Sequence, residues 1–326
     1  MISAMEDKIK PVHPVVVPSE FASLSTFNFF LVEREGRLIL IDAGIGSERS
    51  MESLSGELGR IGAGITDLDA ILLTHHHEDH IGLVPRILEE KRVPVYAHGD
   101  AAPRLLMDTD FLGMRLEFFR RLYREAGCGE MGSVRFEKLE QTIREAGQRS
   151  LRTEIIEIGE GDSIYGFEVI GTPGHSPDCI TFFDPEARIA FTGDVLLGGS
   201  SVNAIIDPDP GGNRLPSVLQ QRESLKKIGA LDADVLYPGH GEPITGQRRL
   251  VADRLGKMDR KDARILDLIA GGKTVPAEIA AAYYGDKYRT LFSLVMSEII
   301  GHLDWLESGG RVEKQMSGGI WHYRLA

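Results

Sequence analysis

The chain has 326 residues, 42% of them apolar and 26% charged, with a net charge of −12 at neutral pH. That excess of acid excludes a general affinity for nucleic-acid backbone, which needs lysine and arginine to displace counterions. Only two cysteines, Cys128 and Cys179, occur, which excludes a disulfide scaffold, and no run approaches the roughly 18 apolar residues of a membrane span.

The opening stretch sets charges and prolines around a short apolar run and has no signal-peptide core. Together with the few cysteines this predicts a cytoplasmic protein. From Thr26 to Gly44, "TFNFFLVE", a "REGR" turn and "LILIDAG" read as a hairpin. "ERSMESLSGELGRIG" has the spacing of an amphipathic helix, and "LDAILLTH" reads as a buried strand. "LVPRILEEK" resumes as a helix and "VPVYAH" as a short strand. Residues 101–150 have helical spacing and no strand signal, which predicts a helical insertion. Strand patterns return at "SLRTEIIEIGEGDSIYGFEVIGTPGH", "CITFFDPEARIAFTGDVLL" and "ADVLYPGHGEPI", with a helix at about Pro216–Ile228 before the last.

From about Lys257 the composition changes. Three helical segments, "KMDRKDARILDLIAGG", "TVPAEIAAAYYG" and "LFSLVMSEIIGHLDWLESGG", precede a hairpin formed by "RVEKQM", "SGG" and "IWHYRLA". That is the layout of a winged helix. The expected organisation is one domain over 1–256, with the insertion at about 101–150, and a winged-helix-like domain over 257–326. Strands alternating with helices twice over predict an α+β fold of two sheets packed face to face, helices outside.

The segment "HHHEDH" packs four histidines and two acids into residues 75–80, behind an apolar run. Similar strand-end turns supply His175 in "TPGHSP", Asp194 in "FTGDVL" and His240 in "YPGHGEP". Neutral imidazole nitrogen and carboxylate oxygen are ligands for zinc, and also for manganese, iron or cobalt. His75 and His77, two apart in an extended segment, project to one side and can grip one ion. Asp79 and His80 lie a turn further on and can reach a second. Asp194 can bridge, and His175 and His240 complete one shell each. His13, His76, His98, His302 and His322 are read as structural or exposed, with His76 pointing away from the ions. Asp42 in "LIDAG" is either a turn residue or a support behind the ligands.

At these residues the chain resembles the metallo-β-lactamase superfamily, whose signature is a Thr-His-x-His-x-Asp-His run. Here that run is Thr74, His75, His77, Asp79 and His80, and His175, Asp194 and His240 match the later positions. The likeness covers about residues 12–250. It implies two αββα halves with their sheets packed together and metals at one edge of the sandwich. It further implies His75, His77 and His175 on one ion, Asp79, His80 and His240 on the other, and Asp194 between them. The tail resembles the winged-helix appendage of the group that includes the LACTB-two-like endoribonucleases. Members that open β-lactams with zinc commonly carry cysteine where Asp194 stands, which argues against antibiotic hydrolysis.

The function expected is a hydrolase with two divalent ions, zinc first and iron or manganese as alternatives. A metal-bridging hydroxide would attack a small-molecule ester, thioester or lactone, and Asp79 would serve in proton transfer. A phosphodiesterase or endoribonuclease is the alternative, since two ions clamp phosphorus equally well. Against it, residues 257–326 hold 10 Lys/Arg and 9 Asp/Glu, without the basic stripe that backbone binding needs. A DNA-binding regulator is the third reading. No membrane partner is expected, and a homodimer is possible in this reading.

Overall fold

A computed structural model describes residues 12–20 and 25–326. The first eleven residues, which carry most of the reading of the chain start, lie outside the described residues. The first sheet holds β1 (Val12–Pro18), β2 (Thr26–Arg34), β3 (Arg37–Ile41), β4 (Leu68–Leu72), β5 (Val95–His98) and β6 (Ile155–Ile158), in that spatial order. The second holds β7 (Ser163–Ile164), β8 (Phe167–Gly171), β9 (Ile180–Asp184), β10 (Ile189–Gly193) and β11 (Val235–Pro238), running from β11 to β7. A separate hairpin pairs β12 (Val312–Ser317) with β13 (Ile320–Leu325).

The helices of the first half are α1 (Glu48–Arg60), α2 (Glu78–Ile81), α3 (Val84–Glu90) and α4 (Ala102–Leu105). The insertion forms α5 (Thr109–Glu125), α6 (Glu130–Arg144) and α7 (Ala146–Arg149). The second half adds α8 (Ser217–Ala230) and α9 (Gln247–Ala270). The tail continues with α10 (Pro276–Tyr284), α11 (Lys287–Thr290) and α12 (Phe292–Ser308).

Strand β2 shows why the sequence folds into layers. Successive side chains of a strand point to opposite faces. Phe30 and Val32 meet Phe167, Phe182 and Phe191 between the sheets. Phe29 and Leu31 meet Leu54 and Leu58 of α1 and Ile87 of α3 on the outer face. Both faces are covered, so the strand reads as an unbroken apolar run. On the far side, Ala190 and Leu236 pack against Leu225 and Ile228 of α8. The result is the four-layer helix–sheet–sheet–helix arrangement expected from the sequence. Strands β3, β4, β5 and β6 run parallel, with helices in the crossovers, so their carboxyl ends gather at one edge.

Strand β1 was not foreseen. It carries Pro14 and Pro18 and lies at the edge of its sheet, where a missing N–H is tolerated. Its buried residues, Val15 and Val17, alternate with exposed ones. At the other end of the chain, α9 runs unbroken through residue 256, where the composition changes. The insertion and the tail share one apolar core: Phe119, Leu122 and Tyr123 of α5 pack with Ile265 of α9 and Phe292 and Met296 of α12. Among the described residues no helix is long and apolar enough to cross a membrane.

Candidate metal centre

All seven side chains singled out in the sequence converge at the carboxyl edge of the sandwich. His75 and His77 follow β4, Asp79 and His80 sit on α2, and His175 follows β8. Asp194 directly follows β10, and His240 lies two residues beyond β11. Their ligand atoms form three overlapping groups: His75, His77 and His175; His75, His80 and Asp194; and Asp79, His80 and His240. Within each group every ligand atom lies within 4.8 Å of the others.

The first group is a knot of imidazoles. His77 Nδ1 lies 3.1 Å from His75 Nε2 and 3.0 Å from His175 Nε2. In the second half, His240 Nε2 lies 3.1 Å from Asp194 Oδ2 and 3.4 Å from Asp79 Oδ2. Asp194 faces both halves, with Oδ2 3.6 Å from His175 Nε2 and Oδ1 3.5 Å from His80 Nε2. It therefore lies between the two sets of histidines.

Supports behind these residues fix which nitrogen each ring turns inward. His80 Nδ1 donates to Asp42 Oδ2 at 2.8 Å, which turns Nε2 inward. Thr74 Oγ1 donates to the same Asp42 oxygen at 2.8 Å and accepts from His75 Nδ1 at 3.1 Å, which frees His75 Nε2. His175 Nδ1 donates to the Asn203 carbonyl at 3.1 Å, and His240 Nδ1 to the Thr26 carbonyl at 2.7 Å. Such outer partners are what orient histidine ligands. Asp42 thus holds hydrogen bonds to both Thr74 and His80. Its φ of +57° places it in the left-handed region, where Asp is among the few tolerated side chains.

Electrostatics divide the rings, keeping His75, His77 and His175 neutral and drawing His80 and His240 upward beside the carboxylates. Burial, reinforced by neighbouring imidazoles, holds His75 and His77 well below the usual imidazole range, so both are neutral. Burial likewise lowers His175. For Asp194 burial favours the protonated form, but His80 and His240 overcome it and keep the carboxylate ionised. Burial also opposes protonation of His80, and the carboxylates of Asp42 and Asp194 outweigh it and draw that ring well above its ordinary value.

The fit to a cation shows most directly in two atoms. His80 Nε2 and Asp194 Oδ1 are buried, face each other, and have no hydrogen-bond partner among the described residues. Buried polar atoms are almost always paired, so each orphan calls for an explanation.

Two glycines let the strands close on this point. A Cβ at Gly193 would come 2.6 Å from Thr74 Oγ1. One at Gly239 would come 2.5 Å from His80 Cε1 and 2.6 Å from Asp194 Oδ1.

Sequence reasoning missed Asp178. Its buried carboxylate accepts from the backbone N–H of His76 and from His76 Nδ1, both at 2.8 Å, and from the Ser176 hydroxyl. This clamp ties the His76 ring to Asp178, and His76 belongs to none of the three ligand groups. The only signal was an acid three residues after His175, too common to single out. The other set-aside histidines lie elsewhere; His302, for one, is buried against Asp262.

A cavity of about 980 Å³ opens beside the centre, lined by Thr26, His240, Glu242, Ile244 and Arg249 among others. Its lining residues come from the stretches 25–26, 197–200 and 240–253.

Comparison with known proteins agrees with this site. The sequence profile described as "Metallo-beta-lactamase superfamily" matches residues 27–240. The probable metallo-hydrolase YqjP of Bacillus subtilis is 30% identical over 316 residues, covering 94% of this chain and 96% of that protein. An atrochrysone carboxyl ACP thioesterase of Aspergillus fumigatus is 25% identical over 279 residues, covering 79% and 68%. A metallo-beta-lactamase family protein of Thermus thermophilus superposes with a TM-score of 0.77 at 24% identity, covering 97% of this chain and 98% of that one. The chain belongs to the metallo-beta-lactamase superfamily and is a metal-dependent hydrolase.

Proposed function

We propose that the centre holds two divalent cations and that the protein hydrolyses a carboxylic ester, thioester or lactone. In this reading His75, His77 and His175 hold one ion, Asp79, His80 and His240 hold the other, and Asp194 bridges them. The observation that carries it is the pair of buried, unpartnered atoms, His80 Nε2 and Asp194 Oδ1, beside a knot of neutral imidazoles. A buried polar atom without a partner costs about 1–3 kcal/mol. Cations at the two foci would remove that cost for every atom at once. Nitrogen and oxygen donors suit zinc first, with iron or manganese also compatible.

Bound there, such ions would acidify water and polarise the oxygen of the scissile bond. The protein's own groups supply the rest. Asp42 holds His80 directly, and His75 through Thr74, in the ring orientation described. Asp79 is the more exposed of the two carboxylates at the centre, and we assign it the proton that passes to the leaving group. The thioesterase relative supports an acyl substrate. The order of three helices and a hairpin supports a winged-helix-like reading of 257–326, as in the LACTB-two-like group. A phosphodiester substrate is the second reading, favoured by the cationic face of α9.

A panel of thioester, lactone and p-nitrophenyl phosphodiester substrates, with and without chelator, tests the assignment. Chelator-sensitive turnover of the acyl substrates is expected. Turnover of phosphodiesters alone would overturn it.

A further inference from the structure

Helix α9 concentrates positive charge on one side. Arg254, Lys257, Lys261 and Arg264 follow a spacing of three, four and three residues, which aligns them along one face, and Arg260 stands beside them. Like charges so placed repel and weaken a helix. The chain as a whole carries −12, and this face corrects the expectation that residues from 257 onward carry no basic stripe: the balanced count hid a cationic face because the acids lie elsewhere on the helices.

All five residues line one cavity of about 440 Å³, between α9 and the loop that leaves Asp194. That volume falls within the range of about 300–1,000 Å³ common for small-molecule sites. Val195, Leu196 and Leu225 give it an apolar wall. A single carboxylate, Glu298 of α12, lines it, and that group is paired with Lys261. Asp253, outside the lining, pairs with Arg254 and Lys257. Arg260 and Arg264 have no carboxylate partner among the described residues. Arg264 instead lies over the Tyr283 ring, 4.4 Å from its centroid.

The cavity is one loop away from the metal centre. Arg254 donates to the carbonyls of Leu197 and Gly198, at 2.9 and 3.0 Å, and so fixes the near end of that loop. Asn203, at its far end, lines the cavity and accepts from His175 Nδ1. Leu197 lines both this cavity and the larger one at His240, so the two spaces share a wall.

We infer that this cavity binds the phosphate-bearing end of the substrate: the substrate is an acyl thioester whose thiol carrier ends in a phosphorylated nucleotide. The assignment to the substrate rests on the acyl-hydrolase reading above; the anion site itself does not. Arg260 and Arg264, left without a carboxylate beside three cations that have one, call for an anionic occupant, which a fatty chain or a neutral sugar is not. A pocket of this volume between α9 and one loop takes a compact body, whereas an RNA strand tracks a long groove. The Arg264–Tyr283 stack and the apolar wall offer surfaces for a base.

Binding and turnover are tested separately on the full chain. Calorimetric titration with coenzyme A, ADP and inorganic pyrophosphate is done on wild type and on Lys257→Glu/Arg260→Glu. Both substitutions are at exposed positions, and circular dichroism checks the fold. Coenzyme A and ADP are expected to bind, more weakly as salt rises, and about tenfold or more weakly to the variant. A second arm compares kcat/KM for an acyl-coenzyme A with that for the matching N-acetylcysteamine thioester, which lacks the nucleotide. The ratio is expected to favour the coenzyme A ester and to fall in the variant. Failure of both nucleotides to bind overturns the site. Pyrophosphate binding as tightly as ADP overturns the nucleotide part. An RNA oligomer that displaces ADP at lower concentration overturns the small-molecule occupant. Nucleotide binding without thioester turnover overturns the link to the substrate, and that failure belongs to the acyl reading.

Discussion

Asp42 Oδ2 accepts from His80 Nδ1 at 2.8 Å, and the opposite nitrogen of that ring is left buried, unpartnered and aimed at Asp194. The same carboxyl accepts from the Thr74 backbone N–H and hydroxyl, so one side chain orients the rings of His75 and His80. Asp42→Asn tests this cleanly, because Asn also tolerates the left-handed backbone at this position. The expected result is a folded protein whose affinity for metal falls about 10–100-fold, read by competition with a chelating dye. Unchanged affinity would show that Asp42 only shapes the turn.

Asp79 separates its two assigned roles by the leaving group. If it delivers the proton, Asp79→Asn lowers kcat by about 10²–10⁴ for substrates with basic leaving groups and much less for acidic ones such as p-nitrophenol. A uniform loss across leaving groups, following metal content, would make it a ligand alone.

Gly239 allows β11 to approach the centre. The Cβ of Gly239→Ala would meet His80 and Asp194 at 2.5 and 2.6 Å, and the His80 ring is held from behind by Asp42. Metal content and activity are expected to drop together, with a stability loss of about 1–3 kcal/mol by denaturant titration. Retention of full metal would mean that β11 can shift outward at no cost to the site.

Asp304 of α12 gives the tail a pH dependence of its own. Burial pushes its carboxyl up to about 6, even though Arg214 lies 2.8 Å away. A raised carboxyl means that the folded chain holds a proton the unfolded chain has already released. Its stabilising effect is therefore complete below about pH 4 and is lost as pH rises through about 6, with a ceiling of about 3 kcal/mol. Denaturant unfolding of wild type and Asp304→Asn from pH 4 to 7 measures it. Wild type is expected to lose stability relative to the variant across that window, and parallel curves would contradict the assignment.

Much of the site was legible because strand-end turns announce themselves: apolar runs stop abruptly at "THHHEDH", "TPGH", "FTGD" and "YPGH". The layers were legible for a related reason, since a run such as that of β2 is apolar throughout only when both faces are covered. What periodicity does not report is the partner of an apolar face. The helices of 101–150 were read correctly as helices, yet nothing in them showed that Phe119 and Tyr123 pack on Phe292 and Met296 of the tail. Nor did Asp178 stand out, because its meaning depends on His76, 102 residues earlier, lying within hydrogen-bond distance. Strand β1 was hidden by its prolines, which only an edge position makes acceptable.

The most direct test of the central claim is elemental analysis of protein purified without chelator and quantified by amino-acid analysis. The account predicts two transition-metal ions per chain, falling to one or fewer in Asp194→Ala, which removes the bridging carboxylate. Wild-type protein that is folded, never exposed to chelator, and free of stoichiometric metal even after incubation with excess zinc, iron or manganese would contradict it.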